Sequence, residues 1–213
     1  METRYSFIER MRRLVYGGQP SDDASISFGL VGKYVDDAIA FAAKQNYKDN
    51  LALEQVGYVN NSFYTTFKGL TVTSDSNFRW VVSLPQIPIG IGDTKGISTL
   101  ELNDTNGQES FPCIPLNENQ KGYYKSLLPI PNKTLFYYEG NIIYVLTTIL
   151  LNTYTARVSM ISGGDSTNMN SIINVPSDYY PMIIQYIRQH LMEERVIEPD
   201  TNNDGVDTAV NKN

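Results

Sequence analysis

The chain has 213 residues, of which 41% are hydrophobic and 19% charged, a length that suits one sizeable core or a small bundle with a second module. Its formal net charge of −6 argues against direct binding to the phosphates of nucleic acids. The single cysteine, Cys113, excludes an internal disulfide and any multi-cysteine metal site, and the single histidine, His190, leaves few options for acid–base chemistry.

The N-terminal residues do not contain the apolar core of a signal peptide, because charges are scattered through them. The longest apolar run, residues 142–151, is interrupted by two threonines and falls well short of the roughly 20 residues that span a bilayer. We therefore expect a soluble protein that is made in a cytoplasm and not exported by a cleaved signal.

Residues 5–16 predict a first helix, which Gly17 and Gly18 end. Its apolar positions recur on one face, and three arginines are turned away from that face. These arginines form the only basic cluster of the chain: Arg10, Arg12 and Arg13. They indicate either a solvated helix face or a surface that docks onto an acidic partner.

The second helix is predicted with less definite limits. The run from Ser21 to Asp23 is suited to cap a helix, yet residues 26–30 alternate with the period of a strand, and Gly29 and Gly32 weaken a helix. From Lys33 an apolar helical face continues to about residue 46.

Strand-forming residues dominate from about Leu51 to residue 161. Strands are predicted at 56–72, 78–84, 97–102, 134–138, 142–147 and 153–161. The segment 134–147, with Glu139, Gly140 and Asn141 between two strands, is the best hairpin in the chain. Residues 103–119 are rich in turn-forming types, and residues 122–130 give no definite pattern.

Residues 174–195 predict one long terminal helix. Its apolar residues cover more of the circumference than the single face that a surface helix buries. Asp178 is the expected N-cap, because its carboxylate can accept hydrogen bonds from the unpaired backbone N–H groups of the first helical turn. Pro181 lies in that turn and has no N–H group that would need an acceptor. Three further apolar or aromatic side chains lie beside the main stripe: Tyr179, Met182 and Tyr186. Such a helix needs cover on two sides, and we interpret these three residues as interface candidates.

The predicted fold class is α+β. Because the terminal helices share an apolar face, we expect a helical domain formed by N- and C-terminal helices, with an inserted, mainly antiparallel β-module. The expected boundaries are 1–50 for the N-terminal helices, 51–165 for the β-module and 166–197 for the C-terminal helix. Residues 198–213 have almost nothing to bury and predict a flexible acidic tail.

No pattern in the chain indicates catalysis, a cofactor or a phosphate loop. Residues 200–205 match the opening of a calcium loop, but Asn211 stands where a bidentate glutamate belongs, so a solvated tail is the better interpretation. Ser166 lacks the surroundings of a nucleophilic serine and indicates a turn. His190 is interpreted as a packed or interface residue, and Cys113 as a small buried side chain.

Three stretches of the sequence resemble one family. They are residues 33–59, with AAKQN followed by LALEQVGYV; RWVVSLPQIPIGIGDTKGI at 79–97; and INVPSDYYPMIIQYI at 173–187. They resemble head-to-tail connector proteins of tailed bacteriophages and are most similar to neck or ring proteins of crAss-like podoviruses.

This resemblance implies a non-enzymatic virion protein made in the bacterial host. It implies a homo-oligomeric ring of twelve copies beneath the portal protein, in contact with further ring or tail proteins. DNA would pass through the lumen without sequence-specific binding, and a negative subunit suits such a lumen. No membrane, cofactor or catalytic residue is implied.

An alternative interpretation rests on the 15 tyrosines and on Trp80. Tyrosine supplies contact area and a hydrogen-bonding tip, so the β-module could be a monomeric unit that binds or hydrolyses a glycan or a peptide. The same tyrosines could equally be ordinary sheet residues.

Overall fold

The structure is a computed structural model that describes residues 2–16, 18, 26–75, 79–91, 96–105, 109–116, 134–147 and 149–197, with side chains described as far as 193. The helices of these ranges are α1 (Arg4–Tyr16), α2 (Phe28–Glu54) and α3 (Tyr180–Ile197). Short 3-10 turns at Asn61–Phe63 and Ser177–Tyr179 precede the first strand and α3.

Seven strands lie between α2 and α3 in the described part of the chain. They are β1 (Tyr64–Ser74), β2 (Trp80–Ser83), β3 (Ile97–Asp104), β4 (Ser110–Pro115), β5 (Thr134–Glu139), β6 (Ile142–Leu146) and β7 (Tyr154–Ile161). They close into a barrel in the order β1-β2-β6-β5-β4-β3-β7. Every neighbouring pair is antiparallel except β4 and β5, which run parallel.

Side chains that alternate along the strands fill the interior of the barrel. On β7, Ala156, Val158 and Met160 are fully buried, whereas Arg157 between them is exposed. Matching inward positions on the other strands complete the core: Val72, Val82, Ile97, Leu100, Leu102, Cys113, Phe136, Ile143 and Val145. The strands therefore have an apolar core of their own.

The first strand joins two sides of the barrel. Its first half pairs with β7, and its end pairs with β2 from Val72 onwards. The register with β7 shifts between Phe67 and Leu70, where Gly69 has φ +70°. Such an irregularity bends a strand and increases its twist, which closure of a small barrel requires.

The three helices flank the barrel and pack around a second core. The largest fully buried side chains of this core include Phe7, Ile8 and Met11 of α1 and Ile39 of α2. The buried guanidinium of Arg4 also joins two helices, since it donates to both Asp36 carboxylate oxygens at 2.7 and 2.8 Å and to the Gly32 carbonyl at 3.0 Å. A paired charge of this kind fixes how α1 lies on α2.

The helices meet the barrel where β7 ends. Ile161, the last residue of β7, belongs to the helical core, as does Phe63 before β1. Two residues later Gly163 has φ +67°, and a Cβ atom built on it would lie 2.6 Å from Ile39 Cγ2. A glycine at this position allows α2 to contact the end of the barrel.

The predicted fold class is therefore wrong. The β-structure is not an insertion in a mainly helical domain; it is a closed seven-stranded barrel that the helices flank. Periodicity indicates individual strands but not that they close on one another. Closure depends on the parallel pairing of β4 with β5, a contact between strands that no tight turn connects.

Several individual elements also differ from prediction. The second helix was expected to end near residue 46 but continues to Glu54, and Ser27 caps it by accepting from the Leu30 N–H at 3.1 Å. The final helix begins at Tyr180, after a 3-10 turn without a side-chain cap, so Asp178 is not its N-cap.

The segment 103–119, predicted to be rich in turns, contains strand β4. In the sequence, Pro112 and Pro115 argue against a strand there, since proline has no N–H group to donate to a neighbouring strand. The hairpin predicted at 134–147 is confirmed as β5 and β6, with Gly140 at φ +61° in the turn between them. The segments 19–25, 122–130 and 198–213 lie outside the described residues.

We predict that Gly163→Ala lowers the free energy of unfolding more than Gly140→Ala does. Both glycines have φ near +60°, but a Cβ at Gly140 meets nothing within 4 Å. The difference isolates the overlap with Ile39 and should amount to roughly 1–3 kcal/mol in urea denaturation. Equal losses in the two variants would show that α2 does not contact this end of the barrel.

We also predict that Cys113 makes the barrel sensitive to alkali. Burial, with a smaller contribution from Glu101, raises the pKa of the Cys113 thiol from 9.0 to about 12. Because the folded state then holds this proton to higher pH than the unfolded chain does, stability is complete below pH 9 and falls towards pH 12. Between pH ~8 and ~10.5, wild type should lose about 2 kcal/mol more than Cys113→Ala in urea denaturation, and equal losses would contradict the assignment.

Candidate interaction surface

A buried amide, that of Asn46 on α2, connects three parts of the chain. Its Nδ2 donates to the Tyr179 hydroxyl at 3.1 Å, and its Oδ1 accepts from the Asn60 backbone N–H at 2.8 Å. The Tyr179 hydroxyl in turn donates to Asp49 at 3.1 Å. Burial and this bond raise the pKa of Tyr179, whereas the Asn46 bond lowers it. The network ties α2 to the start of α3 and to the segment that enters the barrel.

The same network fixes the turn after α2. Asn50 donates to the Tyr58 carbonyl at 3.0 Å, and the Tyr58 hydroxyl donates to Glu54 at 3.0 Å. Gln55 caps the helix in the left-handed region, with φ 58°, and donates its N–H to the Leu51 carbonyl. Residues 51–58 are thus held by hydrogen bonds from both ends.

This fixed segment is apolar and exposed. Leu53 is 83% exposed, and Leu51, Val56 and Tyr58 are between 42% and 60% exposed. We call residues 51–58 the apolar tip. Single exposed leucines are common, but four large apolar residues within eight positions of a fixed segment are typical of a surface that another molecule covers.

The apolar tip projects past the neighbouring helix. Helices α2 and α3 run antiparallel, since Tyr34 stacks with His190 and Asn46 contacts Tyr179. Beyond Asp49, which accepts from the Tyr179 hydroxyl, α2 continues for five residues to Glu54, about 7.5 Å at 1.5 Å per residue. These last turns extend beyond the start of α3, where they are available for contact with another molecule.

The three interface candidates, Tyr179 in the 3-10 turn before α3 and Met182 and Tyr186 on α3, are all partly buried in their own subunit. Tyr179 belongs to the Asn46 network and contacts Phe63 edge to face, with ring centroids 5.6 Å apart. Tyr186 stacks on Phe41 and contacts His190, and Met182 packs against the helical core. Phe41 is itself 45% exposed, so this aromatic row reaches the surface.

The three arginine candidates are paired with acids of the same subunit. Arg12 and Arg13 lie 3.6 and 3.5 Å from the Glu9 carboxylate. Arg10 lies 3.0 Å from Glu2 and also over the Phe7 ring. Ion pairs on the surface contribute little to the free energy of folding. They do not test whether the arginines dock onto an acidic partner, which stays a prediction.

A cavity of about 580 Å³ opens where the barrel meets the helices. Five apolar or aromatic residues line it, namely Tyr64, Ile173, Val175, Pro176 and Tyr180, together with the polar Glu2, Ser62, Asn174 and Ser177. Burial raises the pKa of both tyrosine hydroxyls. We call this feature the junction cavity.

The structure also shows where the other residues considered in the sequence analysis lie. His190 packs between Tyr34 and Tyr186, and Cys113 is buried in the barrel core, as expected. Ser166 lies in a turn and donates its N–H to Gln86. Among the described residues, no group of three or more metal-ligating side chains occurs. The calcium-like segment lies outside the described residues.

The described barrel strands carry aromatic pairs of the kind that the glycan interpretation requires, among them Phe111 with Tyr154. Tyr137 and Tyr144 stack with ring centroids 4.9 Å apart, and the Arg79 guanidinium lies 4.6 Å from the Tyr144 ring. These tyrosines stack across the strands as ordinary sheet residues do. Trp80 packs against the barrel core. The glycan or peptide interpretation remains a prediction.

Sequence reasoning missed the apolar tip because it assigned residues from Leu51 onward to the β-module. One signal for a longer helix was present. No glycine or proline interrupts the sequence from Lys33 to Val56, and this segment includes Leu51 and Leu53. The junction cavity depends on residues that are far apart in sequence and gave no such signal.

No family model and no curated protein matches the chain. None of the described helices combines the length and the hydropathy that crossing a membrane requires.

We predict that Asn46→Ala loosens the turn after α2. The variant leaves the Asn60 N–H without its acceptor, which should cost roughly 1–3 kcal/mol in urea denaturation. Tyr179→Phe removes only the hydroxyl and should cost less, about 1 kcal/mol. Amide exchange at Asn60 should accelerate in the first variant, and unchanged exchange together with unchanged stability would contradict the network.

Proposed function

We propose that this protein is a non-enzymatic virion component, a head-to-tail connector that forms a ring between the portal and the tail of a bacteriophage. DNA passes through this ring without sequence-specific binding. The observation that carries the proposal is the apolar tip, which is fixed by hydrogen bonds and yet exposed.

An exposed apolar tip favours association because its side chains leave water when a second molecule covers them. Burying a leucine side chain contributes about 1.5–3 kcal/mol, and Leu53 is 83% exposed. The hydrogen bonds around Asn46 and Asn50 fix the tip before it binds, so little conformational entropy is lost on contact. A tip that contacts a different surface of the next copy generates a ring if the rotation closes.

The resemblance to phage connectors supplies the partners. It favours twelve copies, contact with the portal protein on one side and contact with further ring or tail proteins on the other. The protein would be made in the bacterial cytoplasm and reside in the neck of the particle. The net charge of −6 suits a lumen through which DNA slides, since like charges do not adhere.

We predict that Leu53→Ser prevents ring formation on the portal while leaving the subunit folded. The tip has its own hydrogen bonds, so loss of one exposed side chain should not change the circular dichroism spectrum or the melting temperature. Light scattering and negative-stain imaging, with the portal protein of the same phage added, measure assembly.

Leu150→Ser is the matched control, because Leu150 is also an exposed leucine, at 75%, but lies in the loop before β7. The control should assemble like wild type. A wild-type chain that remains a monomer and does not bind the portal would refute the proposed function.

A further inference from the structure

We propose that the acidic C-terminal segment, residues 198–213, docks onto the arginines of α1 in its own chain. Four acidic residues and one lysine give this segment a net charge of −3. The receiving surface is the basic cluster of the sequence, namely Arg10, Arg12 and Arg13. The inference is independent of the proposed ring, because it concerns a contact within one chain.

The arginine cluster carries more positive charge than its described partners neutralise. Arg12 and Arg13 share one carboxylate, that of Glu9, at 3.6 and 3.5 Å. Arg10 is paired with Glu2 at 3.0 Å. Among the described residues, three guanidinium groups thus face two carboxylates. The side chains of Arg10 and Arg13 are 44% and 54% exposed, so a further acidic group has access to them.

The acidic segment begins at the end of the helical layer where α2 starts. His190 of α3 stacks on Tyr34 of α2, with ring centroids 5.6 Å apart, and the two helices run antiparallel. Ile197 and Ser27 each lie seven residues beyond this contact, about 10.5 Å at 1.5 Å per residue. The end of α3 is therefore level with the N-cap of α2, and residue 198 follows directly.

The end of α1 meets the same point. The Ile26 N–H, one residue before the N-cap of α2, donates to the Tyr16 hydroxyl at 2.9 Å. Tyr16 is the last residue of α1. Arg12 and Arg13 precede it by about one turn of helix, roughly 5–6 Å along the axis. The arginines and the start of the acidic segment are thus at one end of the helical layer.

The acidic segment is long enough to reach the arginines. An extended chain spans at most about 3.3–3.6 Å per residue, so Asp200 can lie up to about 10 Å from Ile197, and Asp207 up to about 33 Å. A tether this short raises the effective concentration of the acidic groups to the millimolar range. Ion pairs that are too weak to hold separate molecules together can therefore form within one chain.

The docked segment is a competitor for the partner that the arginines indicated in the sequence. An acidic partner binds the same guanidinium groups, so it has to displace residues 198–213 first. It should therefore bind more weakly to the full chain than to a chain without the segment. The contact is an autoinhibitory one, because the chain supplies its own ligand for this surface.

Paramagnetic relaxation enhancement in the full chain tests this contact. A nitroxide is attached to Thr208→Cys, next to Asp207, and the broadening of backbone amide signals is measured. The buried native Cys113, whose pKa is raised to about 12, takes up little label. Amides 12–14 of α1 report the proposed contact. Amides 28–30 of α2, at the same end of the helical layer, are the matched control.

The expected result is severalfold stronger broadening at amides 12–14 than at amides 28–30. Sodium chloride at about 1 M should abolish the difference, because the Debye length falls to about 3 Å. Arg13→Glu should abolish it as well, and adding Asp204→Lys and Asp207→Lys to that variant should restore it, since the charges are then exchanged. Circular dichroism shows whether each variant is folded.

Equal broadening of the two sets of amides overturns the inference, and so does a difference that neither salt nor Arg13→Glu removes. A mixture of an isotope-labelled chain with a separate spin-labelled chain gives the remaining control. Broadening as strong in this mixture as within one chain assigns the contact to a second copy and also overturns the inference.

Discussion

The hydrogen bonds of Asn46 are the constraint on which the rest of the structure depends. One buried amide holds α2, the first turn before α3 and the chain that enters β1, and these segments are far apart in sequence. Its acceptor and donor are both used, so the group is stable in an apolar surrounding. Because this junction is fixed, α2 can continue past α3 and present apolar side chains to solvent without unwinding.

Two cores with different geometry meet at this junction. The barrel closes around its own apolar interior, and the helices pack around another, with Ile161 and Phe63 at the contact between them. Gly163 allows the close approach of Ile39 there. The junction cavity opens beside this contact, where a helical layer and a curved sheet cannot match their surfaces completely. A closed barrel and a projecting helix thus account for both the junction cavity and the apolar tip.

Local patterns in the sequence predicted the structural features that residues close together in the chain determine. The hairpin around Gly140 and the alternation along β7 follow from turn chemistry and from the two-residue period of a strand. The fold class was wrong because closure depends on the pairing of β4 with β5, and Pro112 concealed β4. The tip was missed because Gln55, with its left-handed φ, ends α2 later than the apolar period indicated. Nonlocal contacts such as that of Asn46 with Tyr179 have no signature in sequence.

The central claim is that another protein surface covers the apolar tip in the assembled particle. Hydroxyl-radical footprinting of the free chain and of the chain assembled on its portal measures this directly, because oxidation of leucine and tyrosine depends on solvent access. The account predicts that Leu53 and Tyr58 are oxidised readily in the free chain and are protected after assembly, while Leu150 changes little. Equal oxidation of Leu53 in both states would contradict it.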